Sequence, residues 1–252
     1  MPPRPAAKSP NYAAWYQAMS HLRSFVTKTI TLPPSRLHDH GYSSNWAGWQ
    51  SGAQPFSSVQ GEWNVPSVTR TDGNYRSSAQ WVGVGAGTGA AGGNDQLVQP
   101  GTEVESFSNG YSDAYTWYEI YPDGPPVGIF WVNQGDTMYV SLYGQGSTLY
   151  PYVEDVSTGQ AWNNNNMGVG FSGSCGCSQA EAIVEKDSQY LTWISNVNFS
   201  SVAATNSGGT QYLGNLPDDS SYVLANNACC WMEWPSPISG GSFTAYRGAW
   251  DS

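Results

Sequence analysis

A chain of 252 residues is long enough for one large all-β domain or two small ones, and long enough to bury most of its apolar surface. Only 11% of the residues are charged, while 29 Gly, 12 Trp and 16 Tyr favour short strands joined by tight turns over helices. The net charge of −10 is unevenly spread, because residues 1–40 hold Arg4, Lys8, Arg23, Lys28 and Arg36 against Asp39, a +4 leader that leaves −14 in the remainder. A body so acidic excludes electrostatic binding to nucleic acid or to an anionic membrane.

In the leader, Ser9-Pro10 reads as an N-cap with Pro at the first helical position. Tyr12, Trp15, Tyr16, Met19, Leu22 and Val26 then recur at three- and four-residue spacing, so one amphipathic helix is predicted. It is too short and too charged to span a membrane and lacks the apolar run of a signal peptide. Thr31 to His40, with Pro33-Pro34, reads as an extended linker. The domain division is therefore a basic leader over 1–40 and a β body over 41–252.

From Gly41 the texture is strand-like. Phe56 to Pro66 alternates with period two until its proline. Gln80 to Val84 is a buried strand, and Ala86 to Asn94 is a Gly-rich loop without the Lys-Ser/Thr ending of a phosphate cradle. Gln96 to Glu105 is the next strand, whose alternation puts Gln99, Gly101, Glu103 and Glu105 on one face. Ala114 to Tyr121 carries Trp117, Glu119 and Tyr121 together, and Thr137 to Tyr143 follows the Asn133-Gln-Gly-Asp136 turn. Gln179 to Glu185 puts Glu181, Ile183 and Glu185 on one face, and short strands follow at Trp193–Phe199, Val202–Ala204, Tyr222–Ala225 and Ser242–Tyr246.

Between these last groups fall the four cysteines, Cys175, Cys177, Cys229 and Cys230. Neither the Cys-x-Cys nor the adjacent pair closes comfortably on itself, so disulfides between the two clusters are expected, with connectivity open. Secretion follows as an expectation, compatible with the Asn198-Phe199-Ser200 sequon; a four-Cys zinc site lacks the usual Cys-x-x-Cys spacing.

All three histidines, His21, His38 and His40, lie in the leader. Unless the leader supplies an imidazole, the body has no Ser-His-Asp, Cys-His or His-ligated metal chemistry, and carboxylates, amides, hydroxyls and Lys186 remain for catalysis. No metal and no cofactor are expected. A face bearing Gln99 and several carboxylates is costly as a dry core, so these faces are expected to line a wet, open groove.

These segments, in order over nearly all of residues 41–250, resemble the glutamic peptidases, or eqolisins. The resemblance rests on Ser43-Ser-Asn-Trp46-Ala-Gly48, Phe56 to Pro66, Trp81-Val-Gly83, Leu97-Val-Gln99-x-Gly101, Trp117-Tyr-Glu119-x-Tyr121-Pro122, Gly135-Asp136-Thr137 and Ala180-Glu181-x-Ile183-Val-Glu185. The chain departs from the family pattern at Gly85, at Pro100 and Glu103, and at Ala182. The resemblance implies a β-sandwich of two large antiparallel sheets like a concanavalin-type jelly roll. It maps the catalytic Gln onto Gln99 and the catalytic Glu onto Glu181, with Trp117 and Glu119 beside them, and on that mapping Gln99 and Glu181 are expected on neighbouring strands with side chains converging on a shared water. Trp46, Trp81, Glu103, Tyr121 and Glu185 are expected to line the site or to support it.

The activity implied is acid endopeptidase action on proteins or peptides, by a secreted monomer. Glu181, with a pKa near the usual carboxylate value of about 4, would take a proton from water while the Gln99 amide holds the oxyanion. The basic leader would lie over the acidic groove as an intramolecular inhibitor. Two alternatives share the same features: a jelly-roll glycoside hydrolase using Glu119 and Glu181, and a non-catalytic carbohydrate-binding β-sandwich. An aspartic peptidase is disfavoured, since no Asp-Thr/Ser-Gly occurs.

Overall fold

The computed structural model describes residues 29–30, 40–52, 55–85, 96–121, 123–145, 148–163, 169–170, 177–188, 191–216, 219–227 and 230–248. The predicted leader helix, the Gly-rich loop at 86–94, Cys175 and Cys229 lie outside the described residues. The described elements are strands with one short 3-10 turn at Leu213–Asn215.

In chain order the strands are β1 (Thr29–Ile30), β2 (His40–Ser43), β3 (Trp46–Ser51), β4 (Ser58–Asn64), β5 (Val68–Arg70), β6 (Arg76–Gly85) and β7 (Leu97–Ser106). Next come β8 (Ser112–Tyr121), β9 (Val127–Val132), β10 (Thr137–Gln145), β11 (Thr148–Asp155), β12 (Gln160–Asn163) and β13 (Val169–Gly170). The chain ends with β14 (Gln179–Glu185), β15 (Trp193–Ile194), β16 (Val197–Asn206), β17 (Gly209–Tyr212), β18 (Asp219–Asn227), β19 (Cys230–Pro235) and β20 (Phe243–Arg247).

Hydrogen bonding links eighteen of these strands into one sheet, and β5 pairs separately with β15. The pairings are antiparallel except β2 against β18, which is parallel. One layer runs β9, β8, β7, β6, β14, β3, β18, and the other runs β11, β10, β4, β16. The ladder passes from one layer to the other through β19 and β20. The expectation of two separate sheets thus meets a single hydrogen-bonded sheet that folds back on itself.

Alternation builds the core between the layers. Val82, Val84, Val98, Val104, Ala180, Ala182 and Val184 from the first layer meet Val59, Trp63, Met138, Val140, Leu142, Val153 and Phe199 from the second. Phe199 stacks on Phe243 with centroids 4.7 Å apart. A polar bridge crosses this core: Trp63 Nε1 donates to Thr102 Oγ1 at 2.9 Å, and that hydroxyl donates to Gln80 Oε1 at 3.0 Å. Truncating a fully buried aromatic such as Trp63 costs about 3–5 kcal/mol.

The two strands predicted at Trp193–Phe199 and Val202–Ala204 are divided otherwise. Trp193–Ile194 pairs with β5, while β16 runs through both remaining pieces. Its register against β4 shifts between Ser200 and Ala203, where Ser201 takes a φ of 56°. One extra residue at a bulge breaks the period-two pattern without ending the strand. From the leader, β1 pairs antiparallel with β2 at the start of the body, placing Thr29 opposite Ser43.

Candidate active site

The far face of the first layer carries the polar residues. On β7 the core takes Val98 and Val104, so Gln99, Gly101, Glu103 and Glu105 face away from it, and on β14 Ala180, Ala182 and Val184 leave Glu181, Ile183 and Glu185 on that same side. Register then aligns one row across the strands. Glu181 is paired with Gln50 of β3 on one side and Gly83 of β6 on the other. Gly83 lies between the Trp81↔Gly101 and Val84↔Val98 partners, hence beside Gln99, and Gln99 is paired with Glu119 of β8. The row reads Gln50, Glu181, Gly83, Gln99, Glu119.

Gln99 and Glu181 therefore share a face but not a strand boundary, since β6 runs between them. Adjacent strands are about 4.8 Å apart, which puts their backbones roughly 9.6 Å from each other. The intervening position is glycine, and a Cβ there would come within 2.8 Å of the Trp81 ring and 2.9 Å of Leu97. The Trp81 side chain leans over this gap.

The expected open groove is closed. Gln99 is 5% exposed and Glu181 2%, with Glu103, Glu105 and Glu185 also buried. Aromatic cover explains this: Trp46, Trp81, Tyr115 and Trp117 cluster with Leu97 and Ile183 on this face, and Tyr121 and Tyr222 pack against them. Trp46 meets Trp81 edge-on at 5.3 Å and Tyr222 at 6.1 Å.

Burial of so many carboxyls is tolerated because most find donors. Gln99 Nε2 donates to Glu119 Oε2 at 2.5 Å, Asn45 Nδ2 to Glu185 Oε1 at 2.7 Å, and Trp81 Nε1 to Glu185 Oε2 at 2.9 Å. Asn45 is held by its own turn. Ser43 Oγ donates to Asn45 Oδ1 at 3.0 Å and accepts the Trp46 N–H at 3.0 Å, while the Lys186 N–H donates to the Asn45 carbonyl at 2.8 Å. Two oxygens in the row differ from the rest: Gln99 Oε1 and Glu181 Oε2 are buried with no hydrogen-bond partner among the described residues.

Electrostatics follow from this burial. Loss of solvent, with the charge of Glu185 second, pushes Glu181 up to about 8, and burial pushes Glu185 up to about 7. Burial also raises Glu119, against the opposing pull of the Gln99 amide. The expectation of an ordinary carboxylate pKa for Glu181 is thus corrected, because the closed site holds the protonated form. Farther along the face, Glu103 bonds the Tyr115 hydroxyl and Glu105 accepts from Tyr75 Oη at 2.6 Å. Burial raises both carboxyls. Glu103 stands four residues from Gln99, about 13 Å along the strand, so it belongs to this second group rather than to the row.

The structure adds Asn45, Gln50 and Tyr222 to the residues singled out from sequence. Asn45 stood within the Ser43-Ser-Asn-Trp46 motif, but its carboxyl partner is 140 residues away. Gln50 follows from the alternation that places Trp46 on this face, once β3 is known to pair with β14. Tyr222 had no local signal. Cys177 is disulfide-bonded, and no cysteine among the described residues is free.

Residues 44–223 match the Peptidase A4 family. Aspergillopepsin-2 of Aspergillus niger is 28% identical over 190 residues, covering 67% of this chain and 65% of its own length. Scytalido-glutamic peptidase, solved with a peptide-based transition state analogue, superposes with a TM-score of 0.63 at 22% identity, over 81% of this chain and 98% of that one. SCP-B, an eqolisin-family peptidase solved with the tripeptide Ala-Ile-His, superposes with a TM-score of 0.57 at 20% identity over 81% of this chain and 98% of its own. These structures share the fold.

Proposed function

The chain belongs to the Peptidase A4 family, the glutamic peptidases, and from that membership we propose that it is an acid endopeptidase acting through Glu181 and Gln99. What supports the assignment is that Glu181 and Gln99 stand in one row on one face of the sheet with only Gly83 between them, and that Glu119 holds one N–H of the Gln99 amide.

In this reading the Glu181 carboxylate takes a proton from water as the water oxygen bonds the scissile carbonyl carbon. Gln99 has two amide N–H groups; one goes to Glu119, and the other donates to the developing oxyanion. When the C–N bond breaks, Glu181 returns the proton to the leaving amine and the products are a carboxylic acid and an amine. The protonated form held by the closed site is the second half of this cycle. Because burial is the leading cause of that protonation, water entering with a substrate restores the base form.

Trp46, Trp81, Trp117 and Tyr121 wall the site, and Glu185 with Glu119 supports the pair. We read the folded sheet as the two-layer sandwich of the family. Substrates are proteins or peptides, and the protein acts as a secreted monomer, in keeping with the Cys177 disulfide. Among the described residues no helix is long and apolar enough to cross a membrane. Family membership favours this reading over a glycoside hydrolase. The test is release of new termini from a denatured protein across pH 2–7, with and without a pepstatin-type inhibitor, beside a polysaccharide panel. Pepstatin-insensitive cleavage in acid supports the proposal, and sugar release without proteolysis refutes it.

The leader completes the proposal as a propeptide, its +4 charge attracted at neutral pH by the −14 of the body as a whole and freed by acid. Intact mass at pH 4, close to the ordinary carboxylate pKa, should show loss of up to roughly forty N-terminal residues. A Glu181→Gln chain should keep its leader; loss at the same rate in that variant would assign the cut to a foreign protease.

A further inference from the structure

The row does not stop at Glu181. Gln50 stands directly opposite Glu181 in the β3–β14 ladder, on the same face, and its own neighbour on β18 is Ser220. It is half-buried, as Glu119 is at the opposite end, whereas Gln99 and Glu181 between them are buried. An incoming chain therefore meets the two ends of the row first. Tyr222, two residues along β18 from the partner of Gln50, packs its ring on Trp46.

From Gln50 to Glu119 the row crosses four strand spacings, about 19 Å, the length of five or six extended residues at roughly 3.3 Å each. A peptide laid across the strands along this row has its scissile bond between Glu181 and Gln99. Its main chain on the Glu181 side then passes over Gln50. A primary amide offers both a donor and an acceptor, the complement of a peptide N–H and C=O.

We propose that Gln50 is a substrate-contacting residue that hydrogen-bonds the main chain of a peptide on the side of the scissile bond away from Gln99. The claim rests on the Glu181–Gln99 assignment and extends it. Gln50 thereby fixes how far the peptide reaches past Glu181, and it makes longer peptides better substrates on that side alone.

The test uses one cleavage site, taken from wild-type digestion of a denatured protein, in peptides shortened residue by residue from each end. Gln50→Met keeps the length of the side chain and removes the amide; Gln50→Ala removes both. Loss of one neutral hydrogen bond predicts a KM raised about 3- to 10-fold in both variants, with kcat within about twofold. That penalty should disappear when the peptide is shortened from one particular end and persist when shortened from the other. Melting of Gln50→Met should match wild type. A penalty equal for every peptide, one confined to kcat, or none at all overturns the role of Gln50 while leaving the Glu181–Gln99 pair standing. A wild-type chain that cleaves no peptide overturns both.

Discussion

Glu181 and Gln99 are unusual less for their chemistry than for where they sit, on a face where tryptophans and tyrosines exclude solvent. A carboxyl in such a place keeps its proton, and an amide in such a place must be aimed by something. Glu119 does the aiming, through the 2.5 Å bond to Gln99 Nε2. Gln99→Ala should therefore fold normally and lose on the order of 10²–10³ in kcat, the cost of one oxyanion donor. Steady-state kinetics on a peptide substrate check this, and a loss below tenfold would remove Gln99 from the oxyanion site. Sequence could place both residues on core-averted faces, because alternation is local. It could not give their burial, since the covering rings of Trp46 and Tyr222 come from strands far away in the chain.

At the scale of elements, β7 and β14 were legible as strands, β14 with the same bounds, because period two and a polar face mark them. Their order in the sheet was not. That β6 separates them depends on pairings between residues a hundred positions apart, which leave no trace in a local pattern. The bulge at Ser201 hid the continuity of β16 for the opposite reason, a local break in a continuous element. The β6–β7 junction also depends on a residue with no side chain. A Cβ on Gly101 would lie 2.2 Å from the Gln80 carbonyl oxygen and 2.7 Å from Trp81 Cβ, so the two backbones meet only with glycine there. Gly101→Ala should cost at least the roughly 1–3 kcal/mol of overpacking, and thus lower Tm by several degrees, about 2–4 °C per kcal/mol in a chain of this size. Gly124→Ala, whose Cβ meets nothing within 4 Å, is the control and should melt with wild type. Equal melting of all three proteins would mean that the β6–β7 register is not the one described.

Over the whole molecule the buried carboxyls set the response to pH. Burial raises Glu103 to about 7, Glu181 to about 8 and Glu185 to about 7, and lifts Glu105 as well. In the unfolded chain the same groups titrate near the usual value of about 4.3. Above that value the folded state binds more protons than the unfolded one, so stability falls as pH rises. The stabilisation is complete below about pH 4 and is lost as pH climbs through 7 to 8. Melting temperatures from pH 3 to pH 8 should be highest in acid and drop across this window; a Tm that is flat or rises toward neutrality would contradict the burial of these groups. The acidic excess of the body could be read from composition and several of its carboxyls placed on strand faces by alternation, but their burial could not. The most direct measurement of the central claim is proteolysis of a denatured substrate at about pH 4, close to the ordinary carboxylate pKa, by wild type and by Glu181→Gln, each shown by its melting curve to be folded. Cleavage by the wild type and none by the variant is the predicted result, because the amide cannot exchange a proton with water; a Glu181→Gln protein that still cleaves would place the proton-transferring group elsewhere.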